Sequence, residues 1–151
     1  MARQKPKKIS KEQSILTNSI NQAEQNRLDG NINVDFNFAN IMDKFSFEAK
    51  GFTATHYKKF CEAIQKISSQ VWDDVHNSEK HTRIGSEYLD ISLLKSQSFQ
   101  NHVHEFTSKK KFLVLRYYGD LPMIGVRKGN TFVLLGLEAK YDDMYPHGRK
   151  K

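Results

Sequence analysis

The sequence predicts an α+β fold in which a long amphipathic helix covers one face of a small antiparallel sheet. Three runs rich in Val, Ile, Leu, Phe and Tyr are separated at 119–120 and 129–130 by Gly-Asp and Gly-Asn pairs, which favour tight hairpin turns. Apolar residues recur every three or four positions between 53 and 75, which predicts the helix. A period-two pattern at 32–38 predicts an N-terminal strand of the same sheet.

The basic charge of the chain is concentrated at its ends. The formal net charge is +7, yet residues 1–11 carry five basic side chains and no acid, residues 149–151 carry three more, and the remainder holds 16 basic and 17 acidic residues. We therefore expect a basic, partly disordered arm with a weak helix at 1–30, a single α+β domain at 31–148, and a basic tail at 149–151. Net charge alone does not imply a nucleic-acid partner.

The composition favours a cytoplasmic protein without a membrane partner. No apolar run approaches the roughly 18 residues of a membrane span, and the basic N-terminus lacks the apolar core of a signal peptide. The single Cys61 cannot form an internal disulfide. Four histidines between 76 and 104 match no zinc-ligand spacing, and we find no phosphate loop, so we expect neither a metal nor a cofactor.

The first half of the domain reads as a strand followed by the helix. The alternation at 32–38 resumes at 45–49, so one strand is expected there and a second remains open. Thr53 or Thr55 is a suitable N-cap for a helix of about 20 residues. Its apolar stripe would cover the sheet and gives packing roles to Trp72 and Cys61. The stripe consists of Tyr57, Phe60, Cys61, Ile64, Ile67, Val71, Trp72 and Val75.

Two-residue turns would fix which side chains of the three C-terminal strands share a face. One face is then apolar and consists of Leu113, Leu115, Tyr117, Ile124, Val126, Val133, Leu135 and Leu137. The opposite face carries Arg116 and Arg127 among apolar and glycine positions, as an open, functional face would. Alternatively, these arginines are solvated or paired with Glu138 on an ordinary open face.

Aromatic, acidic and histidine side chains follow the last predicted strand. Tyr145 and His147 stand at the end of this stretch, where they can fold back over the open face of the sheet. Alternatively, the tyrosines of this stretch cap the core of the domain.

The hairpin segments Phe-Leu-Val-Leu-Arg-Tyr-Tyr at 112–118 and Ile-Gly-Val-Arg-Lys-Gly-Asn-Thr-Phe-Val-Leu-Leu-Gly-Leu at 124–137 resemble the terminal hairpins of the RelE/ParE-like toxin superfamily. The resemblance in pattern extends over about residues 34–147. It implies a RelE-like fold, in which helices pack on one side of a small antiparallel sheet. It also implies a metal-independent endoribonuclease that cleaves messenger RNA on the ribosome, as a toxin-antitoxin or mobile-element defence protein with an antitoxin partner.

The resemblance assigns roles to residues of this chain. Arg116 and Arg127 look like the pair that stabilises the phosphate, and Tyr145 or His147 looks like the general acid or base.

Three more residues look like RNA-binding side chains, because Lys111 and Lys128 would assist at the phosphate and Tyr118 would stack on a base. The alternative is a non-catalytic phage or mobile-element interaction protein that binds a host protein or inhibits a nuclease. In that case the N-terminal arm and the C-terminal tyrosines are the contact surfaces.

Overall fold

The computed structural model describes residues 31–78 and 85–147, so the predicted arm at 1–30 and the tail at 149–151 lie outside the described residues. The described chain is an α+β domain with one five-stranded sheet, in the order β1-β5-β4-β3-β2. Its elements are β1 (Asp35–Asn37), α1 (Ala54–Ser68), α2 (Trp72–His76), β2 (Glu87–Asp90), α3 (Gln97–His104), β3 (Lys111–Tyr118), β4 (Leu121–Lys128) and β5 (Thr131–Leu137), with short 3₁₀ helices at Asp43–Phe45 and Ile91–Leu93. Within these residues, no helix combines the length and apolar character that crossing a membrane requires.

The three C-terminal strands form the predicted antiparallel meander. Its turns lie at the predicted positions, and Gly119 and Gly129 adopt positive φ angles of 56° and 61° there. The prediction of a four-stranded antiparallel sheet is wrong, however, because β1 pairs with β5 in parallel and β2 adds a fifth strand beside β3. A period-two pattern identifies a strand but carries no information about its direction.

Two β-bulges set the faces of the meander. Tyr117 is an extra residue between the pairs Arg116↔Pro122 and Tyr118↔Leu121, and Leu135 is an extra residue opposite the step from Ile124 to Gly125. Because one inserted residue moves the side chains that follow to the other face, the predicted faces of β3 and β4 are wrongly combined.

Both faces of the sheet are covered. On the first face, α1 and α2 pack over a core that consists of Val34, Phe60, Ile67, Trp72, Val75, Leu113, Leu115, Tyr117, Met123, Phe132, Leu134 and Leu137. On the second face, α3, the 3₁₀ helices and the C-terminal segment bury Phe45, Ile91, Leu94, Phe99, Val103, Phe112, Val114, Ile124, Val126, Val133, Leu135, Met144 and Tyr145. The face that was predicted to be open is therefore buried in the second core. The prediction that one long helix covers the sheet is also wrong, because several helices cover its two faces.

The predicted helix is divided into α1 and α2. Thr53 is the N-cap of α1, where its hydroxyl oxygen accepts the backbone N–H of His56 at 3.3 Å. The chain leaves the helix after Ser68 because residues 70–72 bond to residues 32–34, with N–H···O distances of 3.0 and 3.2 Å. Trp72 is fully buried as predicted, whereas Cys61 is exposed and has no packing role in the core.

Candidate nucleic-acid interface

Arg127 and Lys111 lie side by side on the first face of the sheet. The register pairs Leu113 with Gly125, and Lys111 and Arg127 lie two residues beyond this pair on β3 and β4. Both side chains line the same surface cavity. Asp90 pairs with Lys111 from the β2 side, so one carboxylate accompanies the two cations.

The guanidinium of Arg127 is held by its neighbours. Its Cζ atom lies 4.4 Å from the centroid of the Trp72 ring, its Nε donates to the carbonyl of Gly129 at 2.8 Å, and its terminal nitrogen lies 2.9 Å from Nε2 of His76. Trp72 is itself fixed, because its indole N–H donates to the carbonyl of Asn130 at 2.7 Å. Partial burial lowers the pKa of Arg127, but a guanidinium stays charged in proteins. The result is a preoriented cation.

His76 is the neutral partner of this cation. Burial and the nearby Arg127 lower its pKa, and Asp73 acts in the opposite direction. A neutral imidazole keeps one nitrogen as an acceptor, which suits Nε2 facing an arginine that can only donate. The His76 ring also stacks on Tyr88, with centroids 5.7 Å apart and planes 23° apart. Burial raises the pKa of Tyr88, so its hydroxyl is protonated at neutral pH.

Tyr88 and Arg127 border a surface depression of about 240 Å³, which we call the basic depression. It is lined by Tyr88, Thr107, Lys109, Lys111, Leu113, Val126, Arg127 and Gly129. Lys109 is brought there by a turn in which the Thr107 hydroxyl accepts its backbone N–H at 3.1 Å. Three cations and one exposed tyrosine thus converge on a single cavity, which suits a phosphate-bearing ligand.

Arg116 lies elsewhere. Its pairing partner Pro122 is five residues from Arg127 along β4, which corresponds to about 16 Å at the usual rise of a strand. Arg116 lines a separate depression of about 290 Å³ with Lys59, Glu62 and Lys66 of α1. The two arginines therefore do not form one phosphate-binding pair.

The other two predicted RNA-binding residues also lie outside the lining of the basic depression. The ammonium of Lys128 lies 5.7 Å from the centroid of the Phe106 ring. The half-buried ring of Tyr118 makes an edge contact with His56, with centroids 5.2 Å apart. Of the predicted site residues, the structure brings only Arg127 and Lys111 together in this cavity.

Tyr145 and His147 belong to a second cluster, built around Glu138 at the end of β5. Tyr145 is buried against Phe112, with ring centroids 5.8 Å apart, and the His147 ring stacks on it at 4.3 Å. Nε2 of His147 lies 2.7 Å from a carboxylate oxygen of Glu138. Tyr145 thus packs into the second core with His147 against it, and neither residue lines either arginine's depression.

Glu138 is fully buried and organises the C-terminal segment. Its carboxylate accepts the backbone N–H groups of Asp142 at 3.1 Å and of Met144 at 3.0 Å. Burial raises its pKa to about 7, although the two backbone donors oppose the shift. Its main-chain carbonyl accepts the hydroxyl of Tyr117 at 2.6 Å. This arrangement anchors the chain end to the sheet.

Tyr88, His76 and Lys109 were not among the predicted site residues. Lys109 belongs to a run of three lysines at 109–111, and this run was the feature of the sequence from which a basic site could have been predicted. Tyr88 lies on a strand of four residues that was not predicted, and His76 ends a helix of five residues. No pattern in the sequence connects these two positions with Arg127, because the sheet register brings them together.

The described residues include no group of three or more His, Cys, Asp or Glu side chains that could hold a metal ion. Comparison of the chain with protein-family models, curated proteins and solved structures finds no match.

Proposed function

We propose that the protein binds RNA through the basic depression. The observation that carries the proposal is the convergence of Lys109, Lys111 and Arg127 on one cavity of nucleotide size. Lysine and arginine contacts to phosphates provide most of the affinity of proteins for nucleic acids, because binding releases counterions from the backbone.

The held geometry of Arg127 supports this proposal. Its guanidinium is already oriented by the Gly129 carbonyl and by His76, so binding a phosphate would cost little additional ordering of the side chain. Lys109 and Lys111 are exposed and can adjust to the phosphate positions. Asp90 opposite Lys111, and Asp73, whose charge acts on both His76 and Arg127, are acidic side chains of this region that a phosphate would have to avoid.

RelE-like endoribonuclease activity is a second candidate function for the same depression. It is favoured by a neutral His76 next to a cation, since cleavage at a 2′-hydroxyl needs a base and a stabilised phosphate. In this version His76, which contacts Tyr88 and Arg127 of the lining, takes the role that the sequence resemblance gave to Tyr145 or His147. Cleavage of RNA that His76→Gln abolishes while binding persists would support it, and intact RNA would leave binding as the function.

The binding proposal is tested by the salt dependence of RNA affinity. We expect Lys109→Gln/Lys111→Gln to weaken binding of a short labelled single-stranded oligoribonucleotide and to reduce the slope of log K against log salt by about 1.4, because two phosphate contacts are lost at about 0.7 each. Both lysines are exposed, so the fold should persist. The full chain is used throughout, so that any binding by the basic ends is the same in each variant.

The matched control removes the same charge elsewhere. Lys58→Gln/Lys140→Gln takes two exposed lysines from outside the basic depression. Affinity and slope should change much less in this variant. Equal losses in the two double variants would show that overall charge, and not the depression, binds the RNA.

A further inference from the structure

Three rings form a column that runs from the core to the rim of the basic depression. Trp72 is fully buried, His76 is partly buried, and Tyr88 is 47% exposed. The centroids of Trp72 and His76 are 5.2 Å apart with planes at 31°, and those of His76 and Tyr88 are 5.7 Å apart with planes at 23°. A column of this kind ends in an aromatic surface at the solvent, next to three cations.

The position of Tyr88 is fixed from behind. His76 occupies one side of its ring, and Trp72, held by the Asn130 carbonyl, supports His76 in turn. A large exposed aromatic side chain that is already ordered loses little conformational entropy when a flat ligand stacks on it. Tyr88 also lines the basic depression, so a ring stacked on it would lie close to the cations there.

The size and chemistry of the cavity determine which ligand can contact both the Tyr88 ring and the cations. A base that stacks on a protein side chain must leave its own stack, which unpaired nucleotides do readily and duplexes do not. The basic depression of about 240 Å³ offers space on the scale of a single nucleotide, with cations at hand for its phosphate.

We infer that Tyr88 is a stacking platform for an unpaired base, so that the basic depression takes single-stranded nucleic acid with the adjoining phosphate at Lys109, Lys111 and Arg127. This inference rests on the proposed function. It adds that the ligand is single-stranded and that Tyr88 contacts its base. Stacking and phosphate contacts are shared by RNA and DNA, and only a contact to the 2′-hydroxyl would separate them.

The experiment compares Tyr88→Leu with Tyr88→Phe in the full chain. The probes are a labelled single-stranded oligoribonucleotide, the DNA of the same sequence, the RNA duplex, and an oligonucleotide of equal length that lacks bases. We expect Tyr88→Leu to weaken single-strand binding by about tenfold and to leave duplex and baseless binding within about twofold. Tyr88→Phe keeps the ring and should bind like the wild type. A base analogue whose fluorescence is quenched by stacking should lose its quenching only in Tyr88→Leu.

The outcomes separate this inference from the proposed function. Equal affinity of Tyr88→Leu and wild type for the single strand, with binding still weakened by Lys109→Gln/Lys111→Gln, would overturn the platform and leave RNA binding in place. Unchanged binding in both variants would overturn both. Thermal unfolding of Tyr88→Leu provides the folding check. If leucine destabilises the strand, a base analogue that binds wild type and Tyr88→Phe without quenching would overturn the platform. Tighter binding of RNA than of DNA would show that the site also contacts the 2′-hydroxyl.

Discussion

The basic depression and the Glu138 cluster combine the same kinds of side chain and place them in opposite surroundings. Each has a histidine stacked on a tyrosine with a ring nitrogen within 3 Å of an ionisable side chain: His76 with Tyr88 and Arg127, and His147 with Tyr145 and Glu138. In the first, the tyrosine is 47% exposed and further cations border a cavity, whereas in the second the carboxylate is fully buried.

The difference shows how burial assigns a role to residues that look alike in a sequence. A buried carboxylate that accepts two backbone N–H groups stabilises the fold and has no surface to offer a large ligand. Arg127, by contrast, lines a surface cavity. We therefore expect changes at Glu138 to affect mainly stability, and changes in the basic depression to affect mainly binding.

The largest expected effect is the loss of stability on Glu138→Ala. The substitution leaves the N–H groups of Asp142 and Met144 without their carboxylate acceptor and opens space in a buried site, which should cost about 3 kcal/mol in the free energy of unfolding. Urea denaturation measures it. Asp143→Ala, at an exposed carboxylate on the same segment, is the control and should cost under about 0.5 kcal/mol. A loss below about 1 kcal/mol at Glu138 would refute its anchoring role.

A smaller effect should appear in the pH dependence of stability through His76. Its pKa in the folded protein lies below the ordinary value of 6.5, so the unfolded chain binds more protons in the interval between the two values. The contribution of His76 to stability is thus complete above pH 6.5 and is lost as pH falls through the lowered pKa.

The measurement compares wild type with His76→Gln, which keeps an acceptor for Arg127 but does not titrate in this range. We expect the wild type to lose more stability than the variant between pH 7.5 and 5, by about 0.5 kcal/mol for a partly exposed group. The comparison also separates the effect of His76 from that of Glu138, which is present in both proteins. Because the pKa of Glu138 is raised to about 7, protonation of its carboxyl group increases stability as the pH falls toward 4.5. Parallel curves for the two proteins would contradict the lowered pKa.

Local chemistry made part of the fold predictable. The turns at Gly119 and Gly129 and the N-cap at Thr53 each depend on a residue whose conformational or hydrogen-bonding preference is visible in the sequence. The bulge at Tyr117 has no such residue beside it, whereas the bulge at Leu135 adjoins Gly136, and a glycine inside a strand is common at bulges. The parallel pairing of β1 with β5 was equally hidden, because strand direction is decided by the packing of the intervening chain.

The candidate site was also predicted only in part. Arg127 was identified because a positively charged side chain is unusual in a strand of a buried sheet, and Lys111 because the resemblance gave it a phosphate-binding role. Arg116 satisfied the same criterion, but its pairing partner Pro122 lies about 16 Å from Arg127 along β4. Only the strand register and the bulges distinguish the two arginines, and neither could be predicted. Tyr88 joins the site through the β2 to β3 pairing, which no local pattern indicated.

The central claim, that RNA is bound at Arg127 and not at the arginine pair expected from the sequence, is tested most directly by two substitutions that keep the charge. Arg127→Lys removes the Nε donor to Gly129 and the oriented contact with His76, whereas Arg116→Lys changes the other depression. The affinity for a single-stranded oligoribonucleotide is measured for both. We predict a loss of about fivefold to tenfold for Arg127→Lys and less than about twofold for Arg116→Lys. Equal losses, or a loss confined to Arg116→Lys, would contradict the assignment of the basic depression as the binding site.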